Sequence, residues 1–146
     1  MNKKLLILPA IILFAFGTAK AQTGAYSPVH VQHLKNCSPY TQEYVTRIPT
    51  GDPNSPYLNL KSKETISGWL NGKCITKSRV FSGDLNKEIF VSRCALNKKQ
   101  LSSLIHKMTV INKSDDEGVR ESLSQELSSM MKNPEICKFE NYLEEE

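Results

Sequence analysis

The sequence predicts an α+β domain: an antiparallel β-meander of about four strands followed by a C-terminal αα-hairpin, linked by disulfides. Three observations predict it. Apolar residues recur with period 2 through the middle of the chain and with period 3.6 near its end. Asn71-Gly72 interrupts the period-2 region with the residue pair that a tight hairpin turn requires. Four cysteines, an even number, lie downstream of an export-type leader. At 146 residues the chain has room for one domain.

The leader comes first in the chain. Asn2-Lys3-Lys4 is a short positive region, Leu5 to Gly17 is apolar, and Thr18-Ala19-Lys20-Ala21 places small residues where a signal peptidase reads them. An apolar helix of this length spans about 20 Å, short of the ~30 Å hydrocarbon layer. Residues 1–21 therefore read as a signal peptide, with a mature chain beginning near Gln22 in the periplasm or outside the cell. No membrane span is expected after it. Loss of Lys3, Lys4 and Lys20 lowers the formal charge from +4 to +1, so an overall attraction for nucleic acid is not expected. The mature chain is also only about a third apolar, a thin core for its length. Small exported domains commonly offset such a deficit with disulfides.

Residues 22–40 form a polar N-terminal segment with Pro28 and Pro39, loosely ordered or holding one short helix around Val29 to Lys35. The folded domain is expected over 41–137. Tyr44, Val45, Thr46 and Ile48 favour a strand from Thr41 to Ile48. Pro49 to Pro56, with three prolines, reads as a loop, and a second extended stretch follows from Tyr57 to Leu70, open to interruption at Lys61-Ser62-Lys63. Asn71-Gly72 both tolerate positive φ and so predict a type I′ turn into Cys74-Ile75-Thr76. Another hairpin is expected about Ser82-Gly83-Asp84, joining Cys74–Phe81 to Lys87–Ala95.

The period then lengthens. Asn97 and Gln100 form a capping-box pattern ahead of Leu101, Leu104, Ile105 and Met108. Ser114 and Glu117 repeat the pattern ahead of Val119, Leu123, Leu127 and Met130 or Met131, and Asn133-Pro134 ends that second helix. Residues 138–146 read as an acidic tail.

Cys37, Cys74, Cys94 and Cys137 contain no C-x-x-C pair, so neither a zinc ribbon nor a thioredoxin-type redox site is indicated. Two disulfides are expected. A hairpin centred near Asp84 would oppose Cys74 to Cys94 and leave Cys37 with Cys137. A returning αα-hairpin would instead pair Cys94 with Cys137 and Cys37 with Cys74. Both pairings stay open on sequence grounds.

The motifs of common chemistry are missing: no G-x-S-x-G, Walker A, G-x-G-x-x-G or H-E-x-x-H. No catalytic residue, metal ligand or cofactor is assigned. His30 and His33, three residues apart, would share a helix face, and His106 could complete a site only through a tertiary contact. A small exported hydrolase using His30, His33 or His106 is therefore the alternative function. The preferred one is a non-enzymatic interaction module, of inhibitor or assembly-accessory type, binding an unknown and acidic protein or envelope polymer. Its candidate surface is Tyr40, Tyr44, Tyr57, Trp69, Lys73, Lys77 and Arg79, which combines aromatic contact area with positive charge. The charge supports it: residues 22–114 hold 13 Lys+Arg against five Asp+Glu, whereas residues 115–146 hold three against ten. The chain is nearly neutral but divided.

Overall fold

A computed structural model describes residues 26–83 and 86–141. The signal-peptide expectation for 1–21 lies outside the described residues. The elements run α1 (Pro28–Asn36), β1 (Tyr40–Asp52), β2 (Ser55–Leu70), β3 (Lys73–Ser82), β4 (Lys87–Leu96), α2 (Lys98–Lys113), α3 (Glu117–Met131) and β5 (Cys137–Asn141). The five strands form one antiparallel sheet in chain order, and the fold is α+β with two disulfides.

Two corrections to the expected architecture follow. Among the described residues the strands number five, because the segment read as the start of an acidic tail pairs with β4 from Cys94–Cys137 to Phe90–Asn141. The helix pair is consequently an insertion between β4 and β5, and α1 adds a third helix. A strand as short as β5 is too brief to show a convincing alternation, yet it hydrogen-bonds along an edge that β4 would otherwise leave bare.

The long hairpin between β1 and β2 runs straight through most of the proline-rich stretch, which narrows to a turn at Pro53-Asn54. Lys61-Ser62-Lys63 does not interrupt β2. The next turn is as expected: Asn71 and Gly72 take φ 50° and 76°, with Leu70 opposite Lys73. Just before it, Gly68 adopts φ 111° where the register shifts between Ile66 and Gly68. An L side chain there would be strained, so the glycine permits the bulge.

Helix boundaries follow local chemistry. Ser27 caps α1, with Pro28 in its first turn and Cys37 closing it in the left-handed conformation at φ 47°. Asn97 and Gln100 exchange capping hydrogen bonds at 2.8 and 2.9 Å as the capping-box pattern predicts. The second helix is capped differently. Asp116, not Ser114, accepts from Val119 N at 3.1 Å, while Ser114 terminates α2. An acidic side chain at a helix N-terminus also complements the macrodipole.

The core lies between the sheet and the helices. Leu104, Met108 and Ile111 of α2 meet Val80 and Phe90 of the sheet, and α3 adds Leu127 and Met131. Asn112 of α2 clamps the chain ahead of α1: its Oδ1 accepts from Tyr26 N, and its Nδ2 donates to Tyr26 O at 2.9 Å.

The disulfides are Cys37–Cys74 and Cys94–Cys137, which resolves the open choice against Cys74–Cys94. The β3–β4 register explains why. Cys74 opposes Leu96 and Cys94 opposes Thr76: the Ser82–Lys87 and Phe81–Glu88 pairs nearest the turn account for one position of offset from the expected register, and the register shift between Val80 and Phe81 adds a second. The two sulfurs are thereby two positions out of register.

The bridges span 37 and 43 residues, separations for which the chain-entropy argument gives about 4 kcal/mol each. Replacing both cysteines of either bridge by Ala is expected to lower the unfolding free energy by about 2–4 kcal/mol in denaturant titration. Non-reducing peptide mapping should recover the same two pairs, and a Cys74–Cys94 peptide would refute the register.

Candidate functional site

Opposed residues on adjacent strands share a sheet face, so the register sorts the side chains into rows. On the helix-covered face the first row is Tyr40–Ile66–Thr76–Cys94–Cys137 and the second is Gln42–Glu64–Ser78–Ser92–Phe139. The third is Tyr44–Ser62–Val80–Phe90. The second row is almost wholly polar in the middle of a buried surface. α2 covers the apolar β3–β4 side, and α1 covers the polar side.

Glu64 lies at the centre and is only 3% exposed. Gln42 Nε2 donates to its Oε2 at 2.9 Å and Tyr44 hydroxyl to its Oε1 at 2.8 Å. From α1, His30 brings Nε2 to 3.7 Å from Oε2. Burial pushes the Glu64 carboxyl up to about 8, against the opposing pull of Gln42 and Tyr44. Burial, aided by neighbouring His33, pushes His30 down to about 4. Tyr26 is driven up to about 12 by burial and then by Glu64. Near neutrality the carboxyl thus holds its proton and the imidazole is uncharged. At 3.7 Å this is a close neutral pair, because an ion pair here would need two desolvated charges.

A cavity of about 10 Å³ opens beside the pair, lined by His30, Glu64, Thr65, Thr76, Lys77, Ser78 and Ser92. That is space for about one water. Both ring nitrogens of His30 and the Ser78 hydroxyl lack a hydrogen-bond partner among the described residues. The arrangement can hold or pass a proton, but its size admits no substrate chain.

The other histidines take separate roles. His33 stacks on Tyr40 with centroids 4.2 Å apart and places Nδ1 2.8 Å from Ser38 Oγ. His106 is exposed on α2. Among the described residues no group of three or more His, Cys, Asp or Glu is placed to hold a metal.

The candidate interaction residues divide three ways. Tyr40 and Tyr44 sit on the helix-covered face, half-buried against His33 and Glu64. Trp69 and Lys73 lie at the β2–β3 turn. Lys77 and Arg79 lie on the open face, as does Tyr57, which carries the Arg47 guanidinium 4.4 Å above its ring. Sequence reasoning missed Glu64 itself. Its signal was its phase: it stands two positions from Ser62 and from Ile66, on the inward face of β2.

The open face is cationic. One row reads Thr41–Thr65–Lys77–Arg93–Lys138 and the next Glu43–Lys63–Arg79–Val91–Glu140. Glu43 is approached by Lys61 at 3.5 Å and Lys63 at 3.6 Å, Glu88 pairs with Arg79, and Glu140 accepts from Arg93 at 3.2 Å. Lys77 and Lys138 form no ion pair among the described residues. Acidic α3 packs on α2, where Glu126 comes within 3.9 Å of Lys107, on the helical side of the sheet.

Comparison of the chain with protein-family models, with curated proteins and with solved structures finds no match.

The buried pair predicts a pH signature. Glu64 binds its proton more tightly when folded, so its contribution is complete below about 4.5 and is lost as pH rises towards about 8. His30 has the opposite sign, complete above about 6.5 and lost as pH falls towards about 4. The slopes oppose each other between those ranges, and above pH 6.5 Glu64 acts alone. Unfolding free energy should therefore fall by on the order of 2 kcal/mol between pH 6.5 and 8. Glu64→Gln should abolish that fall in denaturant titrations at the two pH values. Parallel losses in both proteins would refute the assignment.

Proposed function

We propose that the protein is a non-enzymatic interaction module of a bacterial envelope or exterior, engaging an acidic protein or polymer through the open face of its sheet. The observation that carries this reading is the row Lys77–Arg93–Lys138, three cations directly opposed on adjacent strands. Strands lie about 4.8 Å apart, and like charges directly opposite destabilise a sheet. Glu140 offsets one of the three charges. An anionic partner laid across β3, β4 and β5 would relieve the remaining repulsion.

Two further features support it. The acidic helix α3 packs on α2 on the helical side, so that helix does not cover the row. The two disulfides are consistent with an oxidising compartment outside the cytoplasm, and none of the described helices is long and apolar enough to cross a membrane. The hydrolase alternative draws on the approach of His30 to Glu64. It is weakened by a cavity that admits about one water and by an exposed His106 on a different element.

Chromatography on immobilised polyglutamate and on a sulfated polysaccharide tests the proposal. The protein should be retained at low salt and released as salt screens the contact. The triple variant Lys77→Glu, Arg93→Glu, Lys138→Glu should bind at least about tenfold more weakly. A control reversing Lys113 and Arg120, on the helical side, should bind like the parent. Equal retention of the triple variant and parent on both resins would exclude the open face as the binding surface.

A further inference from the structure

The β2–β3 hairpin ends in two large exposed apolar side chains. Trp69 is 45% exposed and Leu70 is 61% exposed, directly before the Asn71-Gly72 turn. They stand at the end of the sheet: Trp69 opposes Cys74 in the row that the Cys74–Leu96 pair closes, and Leu70 pairs with Lys73 one position beyond it. Two exposed apolar side chains at a hairpin end suit a soft apolar medium better than a protein pocket, which would have to enclose them.

Lysines rim this tip from three elements. Lys73 is the residue after the turn. Lys98 and Lys99 open α2 immediately past Leu96, whose partner is Cys74. The Cys37–Cys74 bridge fixes the C-terminal end of α1 to the same end of the sheet and brings Lys35 with it. All four lysines are exposed. Glu135 precedes β5 at this end too, where Ile136 O accepts from Ala95 N at 2.9 Å.

We propose that this tip is a peripheral membrane-docking site: Trp69 and Leu70 enter the headgroup–acyl boundary of an anionic bilayer while Lys35, Lys73, Lys98 and Lys99 contact its phosphates. Tryptophan partitions to that boundary, and lysines near an anionic surface add attraction. The wedge is small, so docking is reversible and depends on both contributions. This site is separate from the Lys77–Arg93–Lys138 row and stands or falls without it.

Trp69 is the chain's single tryptophan, so its emission reports the tip alone. The oxidised protein is titrated with vesicles of phosphatidylcholine and with equimolar phosphatidylcholine and phosphatidylglycerol, each also prepared with brominated acyl chains. On anionic vesicles the emission should shift to the blue and be quenched by the brominated chains; pure phosphatidylcholine should do neither to a comparable extent. Leu70→Ser should weaken partitioning about tenfold. Lys73→Gln should weaken it about fivefold on anionic vesicles. Both positions are exposed, so the far-ultraviolet circular dichroism of each variant should match the parent. Unchanged emission on anionic vesicles would overturn the proposal. So would vesicle binding without quenching that is lost in the triple open-face variant, a result that would assign the anionic contact to the other face. Retention on polyglutamate with no vesicle binding would overturn it as well, leaving the open-face reading intact.

Discussion

The polar row across the middle of the helix-covered face is the constraint on which the rest of this fold depends. A sheet usually holds its helices by apolar contact, but Gln42, Glu64, Ser78 and Ser92 occupy the centre of this one. The molecule divides the task. α2 and α3 pack on the half rich in Val80, Phe90 and Leu96, where burial alone is sufficient. α1 lies over the half where it is not, and there the Cys37–Cys74 bridge, the Asn112 clamp and the His33–Tyr40 stack hold it. The neutral state of Glu64 belongs to the same arrangement, since an ionised carboxylate beneath α1 would have little to compensate its desolvation.

Charge follows from the same division. With the helices confined to one side, the open side of the sheet must be solvated, and its alternate positions carry Lys and Arg. α3 packs on α2, where its Glu126 approaches Lys107. The open face therefore carries a row of cations, while on the helical side the acids of α3 lie beside the lysines of α2.

Much of this was legible in the residues. The alternation through β2 to β4, the Asn71-Gly72 turn and the Asn97–Gln100 capping box each act over a few residues, and the structure has them where local chemistry puts them. Features decided at long range were not legible. β5 is five residues whose partner strand ends forty residues earlier, and an acidic context disguised it as a tail. The burial of Glu64 was half legible: its phase with Ser62 and Ile66 pointed inward, while its charge argued for the outside. Tyr40 and Tyr44 have the aromatic character that interfaces favour, yet here they contact a buried acid and a histidine. The open cationic row needed the register, since Lys77, Arg93 and Lys138 become neighbours only across three strands.

The offset between Cys74 and Cys94 bears on how the chain acquires its bridges. In N-to-C order Cys37, Cys74 and Cys94 all precede Cys137, so a mispaired Cys74–Cys94 link is the early hazard of oxidation. Diagonal neighbours on an antiparallel pair have Cβ atoms ~7 Å apart, whereas a disulfide needs ~4 Å. Once the β3–β4 hairpin has zipped, the sheet itself keeps those two thiols apart. Cys74 is left to the incoming helix and Cys94 to the last strand. Placing an opposed Thr76 where a cysteine partner would otherwise sit makes the hairpin a proofreader of oxidative folding.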